Sequence, residues 1–219
     1  LIKVCFSDLN EAENIINHNP EIIDAKTGLG ETAFHYLVVE NQLDAVNFLF
    51  NKGSDINSVN EFGDTPIAQA AVLGYVEMVR WLIEKGADLN TIDKARDPLM
   101  HNAVRSGNAE IIQLLISNGV SIHDKNNLGE SALHESVKDV EYFDVTKFLV
   151  ENGAFIDELS AFNDTPLFRT IIHDNPKAAQ YLIGQGASLS LKDSKGRAPL
   201  DLALECGNAE IVNLLRAKL

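Results

Sequence analysis

A period of 33 residues runs through this chain and decides what it can fold into. Gly53, Gly86, Gly119, Gly153 and Gly186 follow one another at steps of 33, 33, 34 and 33 residues. Leu49, Leu82, Leu115, Leu149, Leu182 and Leu215 follow at 33, 33, 34, 33 and 33. Two independent columns share one period and one single-residue insertion, so one unit is repeated along the chain. A unit this short cannot bury an apolar face by itself. Stacking on its neighbours supplies the core, which is the architecture of a solenoid.

The best-formed unit reads Gly63-Asp64-Thr65-Pro66-Ile67, then Ala70-Ala71, Gly74, Val79, Leu82-Ile83 and Gly86-Ala87-Asp88-Leu89-Asn90. Thr65 is placed to cap a helix, and Pro66 at its first position has no amide hydrogen to leave unpaired. Ala70, Ala71 and Ala103 let helices of adjacent units approach, and Gly74 and Gly107 turn the chain between paired helices. The period-33 glycines suit the left-handed position just past a helix end. The leucine column forms a buried spine, and the column Phe48, Trp81, Leu114, Phe148, Tyr181 and Leu214 reads as a second core row rather than a cofactor box.

These units resemble ankyrin repeats, whose pattern runs G-x-T-P-L-H, small residues, a turn, V-x-x-L-L and G-A-D-x-N. The likeness extends to Gly30-Glu31-Thr32-Ala33-Phe34-His35, to Thr165-Pro166-Leu167 and to Ala198-Pro199-Leu200, and so over nearly the whole chain. It implies an all-α solenoid of helix-turn-helix units joined by short β-hairpin fingers, and a role in binding other proteins. We expect a single domain over 1–219 with seven units. The first, 1–26, is degenerate and expected to lack most of its first helix. The others span 27–59, 60–92, 93–125, 126–159, 160–192 and 193–219. The fourth has Arg96 for Gly and Pro98-Leu99 for Thr-Pro, which predicts a looser hairpin. The fifth carries its extra residue near Asp139–Tyr142, and the sixth has Asn163 for the hairpin Gly.

Charge excludes some partners. The chain has 32 acidic and 18 basic residues, a net charge of −14. Affinity for nucleic acid or an anionic membrane rests on Lys and Arg, so neither is expected, and a basic protein or peptide partner fits better. No apolar run reaches the length of a membrane span. Two cysteines, Cys5 and Cys206, are too few for a disulfide framework and point to a reducing compartment. The expectation is an intracellular, cytoplasmic monomer, with a secreted effector acting in a host cytosol as the alternative. Because the chain opens on Leu1 and a worn first unit, a targeting or regulatory arm of a larger protein is the rival reading.

Catalytic and metal chemistry find little footing. Gly28-Leu29-Gly30-Glu31-Thr32-Ala33 fits a dinucleotide fingerprint, but it falls at a hairpin and helix start rather than after a strand. His35, His101 and His134 stack at one repeat position. Adjacent layers stand roughly 8–10 Å apart, too far for shared zinc ligands at about 2.0–2.1 Å. The resemblance implies instead that these histidines hydrogen-bond the turns of their own and neighbouring units. No catalytic residue, metal ligand or cofactor is expected, and the chain is not read as an enzyme. The resemblance also offers hairpin-Asn hydroxylation at Asn57 and Asn90. A structural role for those side chains is the stronger reading.

Function should lie in columns that the framework leaves free. The residue before each hairpin Gly is large and apolar at Leu29, Phe62, Leu128 and Phe162, with Ala95 and Lys195 breaking the row. The residue after it is acidic at Glu31, Asp64, Asp97, Glu130 and Asp164, ending at Arg197. Either these acids form a rail for a basic segment, or they sit in the first helical turn for the helix dipole, worth about 0.3–1 kcal/mol each. On the first helices the outward column is Tyr36, Gln69, Asn102, Glu135 and Arg169, with Tyr36 as the expected anchor. Together these fourteen residues form the expected partner-binding face.

Overall fold

The computed structural model describes the backbone of residues 1–219 and every side chain except that of Phe6. The helices come in seven consecutive pairs. The first members are α1 (Ile2–Ser7), α3 (Ala33–Val39), α5 (Pro66–Val72), α7 (Leu99–Val104), α9 (Ala132–Ser136), α11 (Pro166–Ile172) and α13 (Pro199–Cys206). The second members are α2 (Leu9–His18), α4 (Leu43–Asn51), α6 (Val76–Glu84), α8 (Ala109–Ser117), α10 (Phe143–Glu151), α12 (Pro176–Gly184) and α14 (Ala209–Arg216). The first repeat therefore keeps both helices, contrary to expectation; Asp8 makes this possible by capping α2 through the amides of Asn10 and Glu11. None of the helices is long and apolar enough to cross a membrane. The chain separates into two compact units, Leu1–Asn102 and Ala103–Leu219.

Within each unit the core is the stack of first helices against second. Phe34, Leu37, Val38, Ile67, Ala70 and Ala71 are fully buried in the first unit, and Leu133, Val137, Leu167, Phe168 and Ile171 in the second. The whole leucine column, Leu49 to Leu215, is 0% exposed, each side chain contributing about 1.5–3 kcal/mol by burial. The aromatic column lies farther out. Trp81 and Tyr181 are half-buried and meet Phe50 and Phe143 edge-on, at centroid distances of 5.5 and 5.8 Å. In the fifth repeat the extra residue forms a 3-10 turn, Val140–Tyr142, in place of the left-handed residue found at Gly74 and Gly107.

The fingers close as turns; β pairing among the described residues is confined to the bridges Ile92–Pro98 and Lys125–Ser131. In every finger one amide returns to a carbonyl four residues on: Thr27 to Glu31, Asn60 to Asp64, Asp93 to Asp97, Asn126 to Glu130, Ser160 to Asp164 and Asp193 to Arg197, at 2.8–3.2 Å. The fourth finger closes like the rest, so it is not looser. Arg96 takes the left-handed φ of 68° and Asn163 one of 56°, where the other fingers have Gly. At Gly63 more than φ demands Gly, because an added Cβ would lie 2.8 Å from the amide nitrogen of Lys94. Asn57, weighed as a modification site, accepts the Asp88 amide on its Oδ1 at 2.8 Å and so ties one loop to the next.

The stacked histidines serve the fingers. His35 Nδ1 accepts the Thr32 amide at 3.3 Å, and its Nε2–H donates to the Asp64 carbonyl at 3.3 Å. His134 repeats this with Ser131 at 3.1 Å and Asp164 at 3.2 Å. A donor on one side and an acceptor on the other select the neutral Nε2–H tautomer. His101 is equally buried, but Pro98 has no amide hydrogen to offer it.

Two predictions follow from these contacts. A left-handed φ costs an L residue roughly 1–2 kcal/mol. Gly196→Ala, whose new Cβ meets open space, should lose about that in urea denaturation; Gly63→Ala should lose clearly more. Burial holds the His35 and His134 imidazoles below the ordinary histidine pKa. The unfolded chain therefore binds more protons, and stability falls as pH drops below about 6.5 toward the folded value. Melts at pH 7.5 and 5.5 should show that loss, and His134→Gln should shrink it.

Candidate functional site

Four finger tips present large apolar side chains. Leu29 and Phe62 in the first unit are 50% and 56% exposed; Leu128 and Phe162 in the second are 42% and 49%. Their backbones leave no alternative. Each tip amide is taken by a side-chain oxygen two residues earlier: Thr27 for Leu29 at 3.3 Å, Asn60 for Phe62 at 2.9 Å, Asn126 for Leu128 and Ser160 for Phe162 at 3.0 Å. Each tip carbonyl accepts an amide of the following finger at 2.9 Å, from Glu61, Lys94, Ala161 and Ser194 respectively. With both backbone groups engaged, the place from which each half-exposed side chain starts is fixed. The column Thr27, Asn60, Asp93, Asn126, Ser160 and Asp193 is a set of positioning residues that the sequence reading passed over. Its signal was a side-chain oxygen recurring at the repeat period.

The acidic row deepens along the chain. It precedes the helix caps by one residue, so it is not in the first helical turn and helix dipoles do not account for it. In the first unit Glu31 and Asp64 are half-buried and Asp97 is buried. In the second, Glu130 and Asp164 are buried, at 1% and 6%, inside an ion-pair chain that sequence reasoning missed. Arg105 Nε meets Glu135 Oε1 at 2.9 Å, and Lys138 Nζ bridges Glu135 and Glu130 at 2.8 Å each. Arg169 Nη2 then joins Glu130 at 2.6 Å to Asp164 at 3.2 Å, and Ser160 Oγ donates to the other Asp164 oxygen. Burial alone would raise the Glu130 carboxyl; the hydrogen bond from Lys138 and the charges of Lys138 and Arg169 outweigh it and hold the group below the usual carboxylate range. Lys138 is likewise held above the ordinary lysine value, its partners overcoming its own desolvation.

The first-helix column varies in depth without dividing by unit. Tyr36 and Gln69 are half-buried, Asn102 and Glu135 are buried, and Arg169 is half-buried. Tyr36 borders an apolar groove of about 710 Å³ with Ile2, Val4, Ile22 and Ala33. Phe162, Asp164 and Arg169 come together around a smaller one of about 210 Å³. The first unit has 16 acidic and 7 basic residues, net −9; the second has 16 and 11, net −5. Among the described residues no three His, Cys, Asp or Glu side chains gather as a metal site, and both cysteines are free.

A family model described as ankyrin repeats (3 copies) matches residues 2–93, 91–160 and 155–218. A putative ankyrin repeat protein of Rickettsia bellii is 36% identical over 68 residues, 31% of this chain, and the match spans 40% of that protein's length. The human ASB11 ankyrin repeat domain superposes with a TM-score of 0.85 at 23% identity, covering 100% of this chain and 96% of that one. A chain in the complex of a predatory endopeptidase from Bdellovibrio bacteriovorus with an immunity protein superposes with a TM-score of 0.76 at 22% identity, over 89% of this chain and 100% of that one.

Removing one partner of a buried ion pair strands the other, at a cost of about 3–5 kcal/mol. Arg169→Met should therefore cost about 3 kcal/mol or more in urea denaturation. Lys195→Met, at an exposed finger tip, should stay within about 0.5 kcal/mol of the parent.

Proposed function

The chain belongs to the ankyrin repeat family, and on that premise we propose that it is a protein-interaction module whose finger tips and inner helices hold a partner. The row of exposed apolar tips carries this reading. Isolated exposed apolar residues are ordinary, but here they recur at one structural position and their backbones are held by hydrogen bonds. Large apolar groups ringed by polar ones are the usual anchors of a protein interface. Because the stack fixes them before a partner arrives, little side-chain or loop entropy is lost on binding. One of the similar solved structures is a complex of an endopeptidase with an immunity protein, so this fold occurs within a protein–protein assembly.

For the first unit the partner is a basic-apolar segment. Leu29 and Phe62 stand beside Glu31, Glu61 and Asp64 on a unit of net charge −9. Lysine or arginine flanking an apolar anchor would meet that field favourably.

A pull-down from cell lysate comparing the parent with Phe62→Ser/Phe162→Ser tests the reading. Each lost anchor removes about 1.5–3 kcal/mol, so the affinity of a tip-bound partner should fall at least roughly tenfold. The variant should melt with the parent, since both rings are half exposed to solvent. Equal recovery of the same partners would remove the tips from the binding face and shift it to Tyr36 and Gln69.

A further inference from the structure

Residue counting makes the whole chain a surface for cations, but the second unit presents its charges in the reverse order of depth. The 210 Å³ groove between the finger of Phe162 and the finger of Lys195 shows this most clearly. Its apolar part is Phe168 and Leu202, both buried, with Phe162 and Ile172 exposed at 49% and 48%. Its charged lining is three cations, Arg169, Lys195 and Arg197, against two carboxylates, Asp164 and Asp193. Glu130 on Arg169 and Glu205 on Arg197 bring the acids around these cations to four, so Lys195 is the one cation of the groove left without an ion pair among the described residues.

The carboxylates are also the deeper groups. Side chains of Asp164 and Asp193 are 8% and 7% exposed, while the guanidinium-bearing side chains above them are 15% and 23% exposed. Arg197 covers Asp193 at 2.6 Å through Nη2 and 2.9 Å through Nε. Two donors remain. The Nε–H of Arg169 is buried with no acceptor among the described residues, and Lys195 makes no ion pair among them. At the rim Glu205, 57% exposed, meets Arg197 Nη1 at 2.5 Å. An exposed ion pair of this kind holds weakly, so an incoming carboxylate can exchange with it.

We propose that this groove in the second unit binds an acidic-apolar peptide segment, an Asp or Glu carboxylate meeting Lys195 and Arg197 while a neighbouring Leu, Ile or Phe fills the space beside Phe162 and Ile172. This rests on the reading of the chain as a protein-interaction module and gives one face of it a partner of opposite charge to that of the first unit. The groove has room for one large apolar side chain. The buried acids hold the arginines in place, so the cationic heads are pre-oriented rather than mobile.

Two exposed substitutions test it with opposite signs. A phage-displayed library of random dodecapeptides is selected on the intact chain, and recovered peptides are measured by fluorescence anisotropy. The expected peptides carry Asp or Glu next to Leu, Ile or Phe. Their affinity should fall at least tenfold on Lys195→Glu and rise on Glu205→Gln, with both variants melting as the parent does. Acidic peptides indifferent to both substitutions would overturn the assignment. Recovery of Lys- or Arg-containing peptides alone, lost on Phe62→Ser, would overturn it while leaving the interaction-module reading intact. Recovery of no peptide would count against both.

Discussion

Within each unit, neighbouring fingers are joined by a hydrogen bond from an amide in one finger to the tip carbonyl of the finger before, at 2.9 Å in all four cases. The bond draws two backbones so close that a Cβ on Gly30, Gly63 or Gly129 would lie 2.7–2.8 Å from the next finger's amide nitrogen. It therefore favours Gly at the position after the tip, where Asn163 alone stands beside such a bond without being Gly. It also sets the pitch at which a histidine reaches the next repeat, as His35 does to Asp64 and His134 to Asp164. And it spends the tip residue's carbonyl while a side-chain oxygen takes its amide, which frees the tip side chain from any structural duty. A position whose backbone is fully committed and whose side chain is not is where a repeat fold can vary its surface without disturbing its core.

Most of the architecture was legible because the repeat compares the chain with itself. The spine leucines and the left-handed glycines each occupy one column whose backbone surroundings recur from repeat to repeat. Two local expectations failed for a common reason. Arg96 and the fourth finger, and the helix of Ile2–Ser7, were judged on departures from a residue pattern, whereas backbone closure decides both. Arg96 reaches a φ of 68° because the Asp93–Asp97 bond and the Asp93 carboxylate close the finger around it. The apolar tips could be read as exposed candidates. The oxygen column that holds them was passed over because Thr, Asn, Asp and Ser share an acceptor at similar reach rather than a residue type.

The ion-pair chain escaped for a different reason. Its links join separate columns at irregular separations: Arg105 with Glu135, Glu135 with Lys138, Lys138 with Glu130, Glu130 with Arg169. Reading each column downward groups Glu130 with Glu31 and Asp64, as though homologous positions had homologous surroundings. Yet Glu130 is 1% exposed with Lys138 and Arg169 upon it, while Glu31 and Asp64 stay half-buried. An amino-acid column fixes where a side chain starts; its neighbours from other columns decide how deep it ends.

Depth is what separates Glu31 and Asp64 from Glu130 and Asp164. Withdrawing a carboxylate from water costs several kcal/mol, and a pairing cation does little more than offset it. The ion-pair chain is therefore weak evidence of added stability, and its consequence lies at the surface. A buried acid fixes the orientation of the base above it and hides its own charge, so a fold with more acids than bases can still face a partner with guanidinium and ammonium groups. In the first unit Glu31 and Asp64 keep access to solvent, and charge counting and surface sign agree. In the second, Asp164 and Asp193 lie beneath Arg169 and Arg197, so at that groove the order of depth runs against the count of charges. Net charge describes how the whole molecule behaves at long range, where salt screens within about 8–10 Å. At contact distance, the sign that a partner meets is that of the outermost atoms.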